Sequence, residues 1–301
     1  MNAWIRRLNL YPLKWKESSQ KENDVLKKTA IVTGASNGFG LLSVLELAKN
    51  DFHVIATMRN LDKGVALLDM AKSLELSSSI QLETLDVTSP ESTQELKTVV
   101  EKLDSVDVLV NNAGMAIGGT SEELTLEDYR RQFETNFFGV IAVTQAVLPL
   151  MRANHRGRII NMSSISGRIG FPGLSPYTAS KHALEGYSES LRLELAPFGI
   201  DVVLVEPGSY KTNIWSGMDE VELTEKSPYF NYMKTLKNEI ERGKSNHGNP
   251  VEIAKLVAQI ASQPQKPKLR YPIGKGVKAN ILLKKFLPWK MLESAILKKL
   301  Q

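Results

Sequence analysis

The chain contains no cysteine. Disulfides, thiolate nucleophiles and thiolate metal sites are excluded together, and a reducing compartment, the cytoplasm, is the expectation. Histidine is scarce. His53, His155, His182 and His247 are scattered, with no His-x-x-x-His or His-Glu-x-x-His pattern, so no metal site is expected. Long apolar runs are missing too. The longest, Val140 to Met151, holds Thr144, Gln145 and Pro149 and is too short to span a bilayer. Arg6 and Arg7 precede no apolar stretch of secretory type, because Asn9, Pro12, Lys14 and Lys16 interrupt it.

What is present is an ordinary soluble composition, 42% apolar and 24% charged, which excludes a disordered, collagenous or disulfide-stapled chain. The net charge of +5 is unevenly spread. Residues 1–28 carry 7 Lys/Arg against 3 Asp/Glu, and residues 264–301 carry 10 against 1. The body between them is therefore acidic, −8 in all. Such a body repels phosphate backbones, and nucleic acid is not an expected partner.

From Thr29 onward short Val/Ile-rich runs alternate with helical patterns. Thr29–Thr33, Phe52–Thr57, Ile80–Asp86, Val106–Val110, Arg158–Met162 and Ile200–Val205 read as strands. Gly40–Asn50, Asp62–Leu74, Glu91–Leu103, Thr125–Met151 and Tyr177–Pro197 read as helices between them. Parallel strands need helix-length crossovers, so the expected fold class is α/β, a doubly wound parallel sheet covered on both faces. Residues 209–250 break the rhythm. They are polar with Trp215, Met218, Tyr229, Phe230, Tyr232 and Met233 interspersed, and read either as a substrate-covering segment or as an excursion with two short helices. Leu269–Ile273 offers one more strand.

Thr33-Gly34-Ala35-Ser36-Asn37-Gly38-Phe39-Gly40 joins the first strand to the first helix. Glycines there allow a tight turn, close backbone approach to a pyrophosphate and close helix–strand packing, and the helix N-terminus offers N–H groups to phosphate. The ribose-binding acid expected after the second strand is missing. Met58 holds its place and Arg59 follows. A surface arginine is one reading of Arg59; the other is a grip on a 2′-phosphate, which favours NADP(H) over NAD(H). Tyr177-x-x-x-Lys181 puts a phenol and an ammonium on one helix face, a suitable general acid/base.

These motifs occur in order with Asp86, Asn111-Asn112-Ala113-Gly114, Asn136, Ser164 and Pro207-Gly208. Together they resemble the short-chain dehydrogenase/reductase family over about residues 29–208. The resemblance implies a single Rossmann-type domain, 29–274, with seven parallel strands ordered 3-2-1-4-5-6-7. Tyr177 is then the proton donor or acceptor, and Lys181 binds the nicotinamide ribose and lowers the Tyr177 pKa. Ser164 hydrogen-bonds the substrate oxygen, and Asn136 orders a water behind Lys181. Gly34, Ser36, Asn37, Gly38, Phe39 and Gly40 serve the pyrophosphate, Arg59 the 2′-phosphate, Asp86 and Val87 the adenine. Asn112, Ala113 and Gly114 line the cofactor pocket, with Pro207, Gly208 and Thr212 around the nicotinamide.

Pro267–Gly274 and the long segment before it look more specifically like the 17β-hydroxysteroid and retinol dehydrogenase subgroup. That implies a bulky apolar ketone, aldehyde or secondary alcohol as substrate, and with the NADP(H) preference read from Arg59 the expectation is an NADP(H)-dependent oxidoreductase. An oxoacyl-thioester reductase of the same family is the alternative within the class, and a non-catalytic NADP-sensing protein the alternative outside it. The extension 275–301 is basic and amphipathic; it reads as a helix packed on the body, a cap on the cleft, a membrane contact or a contact with a second subunit. Residues 1–28 read as a basic, poorly ordered leader.

Overall fold

The computed structural model describes residues 27–212, 214, 221 and 224–298. Seven strands pair in parallel: β1 (Lys28–Thr33), β2 (Phe52–Met58), β3 (Ile80–Thr84), β4 (Val108–Asn111), β5 (Gly157–Met162), β6 (Ile200–Pro207) and β7 (Arg270–Ile273). Their order is β3-β2-β1-β4-β5-β6-β7, as the resemblance implied. The leader expected at 1–28 falls outside the described residues except for Lys27 and Lys28, and Lys28 already pairs with Phe52.

Alternation along the strands explains the two-faced core. Ala30, Val32, Val54, Ala56, Val108, Val110, Val203 and Val205 belong to one buried cluster. Their immediate neighbours Ile31, Ile55, Leu109 and Val202 belong to the other. Successive side chains of a strand point to opposite faces, so continuous Val/Ile runs fill both layers. Helices α1 (Gly38–Lys49), α2 (Val65–Ser73), α3 (Pro90–Val100) and α6 (Ser175–Leu195) return the chain between strands. Strand order reverses between β1 and β4, and this opens a crevice at the carboxyl edge, where α/β sheets bind ligands.

The helix read over Thr125–Met151 is three pieces: α4 (Leu126–Phe133), a π-helical turn (Glu134–Phe138) and α5 (Gly139–Ala153). Asn136 sits in the π turn because its side chain is committed sideways. It accepts from Met115 N at 2.9 Å and donates to Met115 O at 2.9 Å. By length and composition the stretch Leu126–Ala153 is apolar enough to cross a membrane. Here it packs against α3 and α6 as a core element.

Among the described residues of 209–250 lie the helix α7 (Phe230–Gly243) and a 3-10 turn (Lys244–Asn246) after it. Then follow α8 (Val251–Ser262), β7, α9 (Val277–Phe286) and α10 (Trp289–Leu297). Gly208 carries the turn out of β6. A Cβ there would lie 2.6 Å from Val277 Cγ2, so only glycine lets α9 start against it.

Candidate active site

Thr33, at the carboxyl end of β1, organises the crevice. Its hydroxyl accepts N–H bonds from Asn112 at 3.0 Å and Ala113 at 2.9 Å. Asn112 returns its side-chain amide to the carbonyls of Thr33 at 2.8 Å and Gly34 at 3.1 Å. Two strand ends are thus clamped beside the glycine turn. Gly34 has φ +66°, and a Cβ on it would lie 2.8 Å from Ala113 Cα. A Cβ on Gly40 would lie 2.2 Å from the Gly34 carbonyl oxygen. Asn37 precedes α1 without a side-chain capping bond, which leaves the first-turn N–H groups available to an anion. This cradle, which side chains would fill, fits a dinucleotide pyrophosphate.

The remaining expected cofactor residues surround that turn. Phe39 stands edge-on to Tyr210, with ring centroids 5.6 Å apart. Thr212 lies across Gly38, its methyl 3.7 Å from the position of a Gly38 Cβ. Ser36 is half-buried beside them. Met58 is buried against Gly64, whereas Arg59 is exposed and pairs with no side chain among the described residues. Asp86 lies just beyond β3, outside the strand read for it. Its Oδ1 takes both the backbone N–H of Thr88, at 2.9 Å, and the Thr88 hydroxyl, at 2.8 Å. Val87 packs on α5 at Gly139, where a Cβ would meet it at 2.8 Å. Pro207 closes β6, and Gly208 N donates to Ile273 O at 2.9 Å.

Across the crevice α6 begins with Ser175-Pro176 and brings Tyr177 and Lys181 onto one buried face. The Lys181 ammonium is 5.7 Å from the Tyr177 ring centroid and donates to Met162 O at 2.7 Å. Ser164, two residues past that carbonyl, hydrogen-bonds the Tyr177 hydroxyl, whereas Ser163 turns away and donates to Glu185 at 2.5 Å. A Cβ on Gly114 would lie 3.4 Å from Asn136 Oδ1 and 3.9 Å from Lys181 Nζ. Gly114, Asn136 and Lys181 therefore converge. The Asn136 side chain itself is occupied by Met115 and by Ser180, to which it donates at 3.2 Å.

Burial dominates the electrostatics. It pushes the Tyr177 phenol above its ordinary range, and the Ser164 hydrogen bond only partly opposes this. It also lowers Lys181 to about 8, with the Glu185 carboxylate pulling the other way. Desolvation is the largest influence on both groups, and it moves the phenol up and the ammonium down.

Sequence reasoning missed several positioning groups. Gln132, fully buried, holds Ile117 N at 2.8 Å and Met115 O at 2.8 Å. Asn111 donates to Asn161 at 2.8 Å and Asn161 to Ser188 at 2.9 Å, which ties β4 to β5 and α6. Behind Pro207, the buried Glu206 receives Arg168 at 3.0 Å and Arg270 at 3.4 Å, and Arg270 also meets Glu185 at 2.8 Å. The available signal was polar residues at the ends of apolar strands. Their partners are distant in sequence.

The surroundings of Tyr177 are apolar. Leu174, Tyr177, Met233 and Leu236 form one buried cluster, with Ala116, Tyr229 and Tyr232 packed on it. Helix α7 therefore lies over the tyrosine. A cavity of about 520 Å³ adjoins this cluster through Tyr232 and is bounded by Phe171, Ser175, Thr178, His182, Trp289 and Ile296.

Known proteins bear on this geometry. The family model described as short chain dehydrogenase matches residues 28–222. An uncharacterized oxidoreductase of Bacillus subtilis (YusZ) is 48% identical over 91% of this chain and 99% of its own length. A 3-ketodihydrosphingosine reductase of Bacteroides thetaiotaomicron is 36% identical over 88% of this chain and 95% of its own. Human retinol dehydrogenase 8 is 40% identical over 62% of this chain and 60% of its own, in keeping with the subgroup resemblance. A match of that breadth, on a sheet whose crossover crevice already carries the glycine cradle and the tyrosine–lysine pair, makes the chain a member of the short-chain dehydrogenase/reductase family and an NAD(P)-dependent oxidoreductase.

Proposed function

We propose that the protein interconverts a bulky apolar ketone or aldehyde and its alcohol, with NADP(H) preferred, in the cytoplasm. The observation that carries the reading is the placement of the Tyr177 hydroxyl. It is bonded to Ser164 and set into the wall of the Leu174–Met233–Leu236 cluster. A polar acid in an apolar wall suits a substrate with one reactive oxygen on a large hydrocarbon body. The name of the Bacteroides relative, a reductase of a ketone on a long-chain lipid base, supports the same class.

On this reading the Gly34–Gly40 turn and the α1 N-terminus hold the pyrophosphate. Arg59, which pairs with no side chain among the described residues, would take the 2′-phosphate by charge-assisted hydrogen bonds. Asp86 keeps Oδ2 for the adenine amino group, because Thr88 occupies Oδ1. Lys181 exchanges its bond to Met162 O for the ribose hydroxyls. When bound, the nicotinamide supplies the hydride for carbonyl reduction and accepts it in alcohol oxidation. Ser164 and Tyr177 hold the carbonyl oxygen, the electrostatic contribution that is commonly largest. Tyr177 gives that oxygen its proton, and the burial that raises its pKa keeps the proton in place until then. The Lys181 cation stabilises the tyrosinate left behind. The Asn136 side chain, fully engaged, supports Met115 and Ser180 rather than Lys181 directly.

The test is NADPH oxidation over a long-chain 3-ketone, a steroid ketone, a retinoid aldehyde and a short oxoacyl thioester. Turnover of the bulky apolar carbonyls is expected. Activity confined to the thioester would overturn the substrate class, and no activity on any of them would favour a sensing role. Tyr177→Phe is expected to lower turnover about 10²–10⁴-fold, the usual contribution of a general acid, with NADPH affinity nearly unchanged. Survival of turnover in that variant would remove Tyr177 from its role.

A further inference from the structure

The carboxyl-terminal helices carry an apolar face that nothing in the described structure covers. Helix α9 is fixed to the body along one side. Val277 is buried against Gly208, and Lys284 Nζ donates to the Arg168 carbonyl. At 100° per residue the opposite side of α9 is Leu282, Leu283 and Phe286, and these are 57%, 47% and 70% exposed. Helix α10 continues the surface with Met291 at 56%. Its inner side, Trp289 and Ile296, lines the cavity of about 520 Å³.

The charges beside this face are nearly all of one sign. Residues 275–298 contain six lysines, of which Lys284 is turned to the body, and one acid, Glu293. Lys278 and Lys285 both border one edge of the apolar sector of α9, and Lys290 stands at the start of α10. The outer face of α2 provides a contrast inside the same molecule. It also exposes apolar side chains, Val65 at 58% and Leu68 at 42%, but Asp69 and Lys72 stand beside them in balance. An apolar stripe with lysines along its margin matches the interface of an anionic bilayer. A second copy docked by the same face would set lysines against lysines. The leader, 7 Lys/Arg against 3 Asp/Glu, has the wrong sign to complement it.

We propose that the outer face of α9 and α10 docks the protein onto anionic lipid bilayers, and so holds the lip of the apolar cavity at the membrane surface. The value of holding the cavity there rests on the proposed activity towards apolar carbonyls. The docking itself does not, and its test needs no turnover.

The experiment is cosedimentation of the full chain with vesicles of phosphatidylcholine and phosphatidylglycerol (3:1), and of phosphatidylcholine alone. Binding is expected to the anionic vesicles and to fall on raising NaCl to about 0.5 M, where screening shortens the reach of surface charge. Leu282→Glu with Phe286→Glu is expected to weaken binding at least about tenfold, because charge replaces buried apolar area. Val65→Glu with Leu68→Glu, on α2, is expected to leave it unchanged. Thermal melting of both double variants checks the fold. The proposal is overturned if the wild type ignores anionic vesicles, or if both pairs weaken binding alike. A concentration-dependent dimer that the α9 pair alone abolishes, without vesicle binding, would assign the face to a second copy and overturn it as well.

Discussion

The two sides of the crevice are built from different materials. On the cofactor side, at the ends of β1 and β4, geometry comes from backbone: Gly34, Gly40 and the carbonyls held by Asn112 leave no room for a side chain. On the tyrosine side, under α7, geometry comes from apolar side chains that meet from distant parts of the chain, Leu174 with Met233 and Leu236. A backbone site cannot adapt, because each added atom meets another main-chain atom. A side-chain site yields by repacking. The first is thus suited to one invariant ligand, the second to selecting among substrates.

The largest expected effect comes from forcing a side chain into the backbone site. Gly40→Ala places a methyl 2.2 Å from the Gly34 carbonyl oxygen, which no rotamer relieves. NADPH affinity measured by fluorescence titration is expected to fall at least about tenfold, with overpacking costing about 1–3 kcal/mol in a denaturant melt. Normal affinity would show that the cradle is softer than its geometry.

Lys181 joins the two sides, and its burial predicts a pH signature. Its pKa is lowered to about 8 from the ordinary 10.5. Below about pH 8 the folded protein carries the full penalty of a buried ammonium. Between about pH 8 and 10.5 folded Lys181 is losing its proton while the unfolded chain still binds it, so this group's contribution to stability rises with pH. Lys181→Met is therefore expected to melt above the wild type at pH 7, by about 3 kcal/mol in stability, with the gap closing towards pH 10.5. It is also expected to lose turnover. A gap independent of pH would mean that the ammonium is not desolvated.

Smaller effects separate the sides further. Arg59→Ala is expected to weaken NADPH by about tenfold, the loss of a charge-assisted hydrogen bond at an exposed site, while NADH affinity stays the same. Equal changes with both cofactors would make Arg59 an ordinary surface residue. Leu236→Ala, under α7, is expected to raise KM for a bulky ketone about fivefold, within the range for lost apolar contact, without altering NADPH affinity. A change in NADPH affinity would blur the division.

Legibility followed the same division. The glycine turn, Asp86, Asn112 and the tyrosine–lysine spacing are local patterns, and the structure gathers them at one edge of the sheet. The helix read over Thr125–Met151 hid its π turn, because the cause is a bond from Asn136 to Met115 across the crevice. The segment 209–250 hid α7, whose amphipathic face is partnered by Tyr177 and Leu174 rather than by its own neighbours. The roles of Arg168, Glu185, Glu206 and Arg270 were illegible, since each charge is tolerated in the interior only by partners far along the chain.

Without cysteine, thiol chemistry is excluded from this chain. The sequence by itself determined the alternation of strands and helices, the glycines that a pyrophosphate turn needs, and the phenol and amine on one helix face. Those are short-range consequences of steric freedom and helical period. Only the tertiary structure decided that burial pushes the Tyr177 phenol up and Lys181 down to about 8, and that apolar residues of α9 face outward beside an apolar cavity. Such properties depend on desolvation and on which surfaces meet, and both are set by the packing of residues remote in the chain.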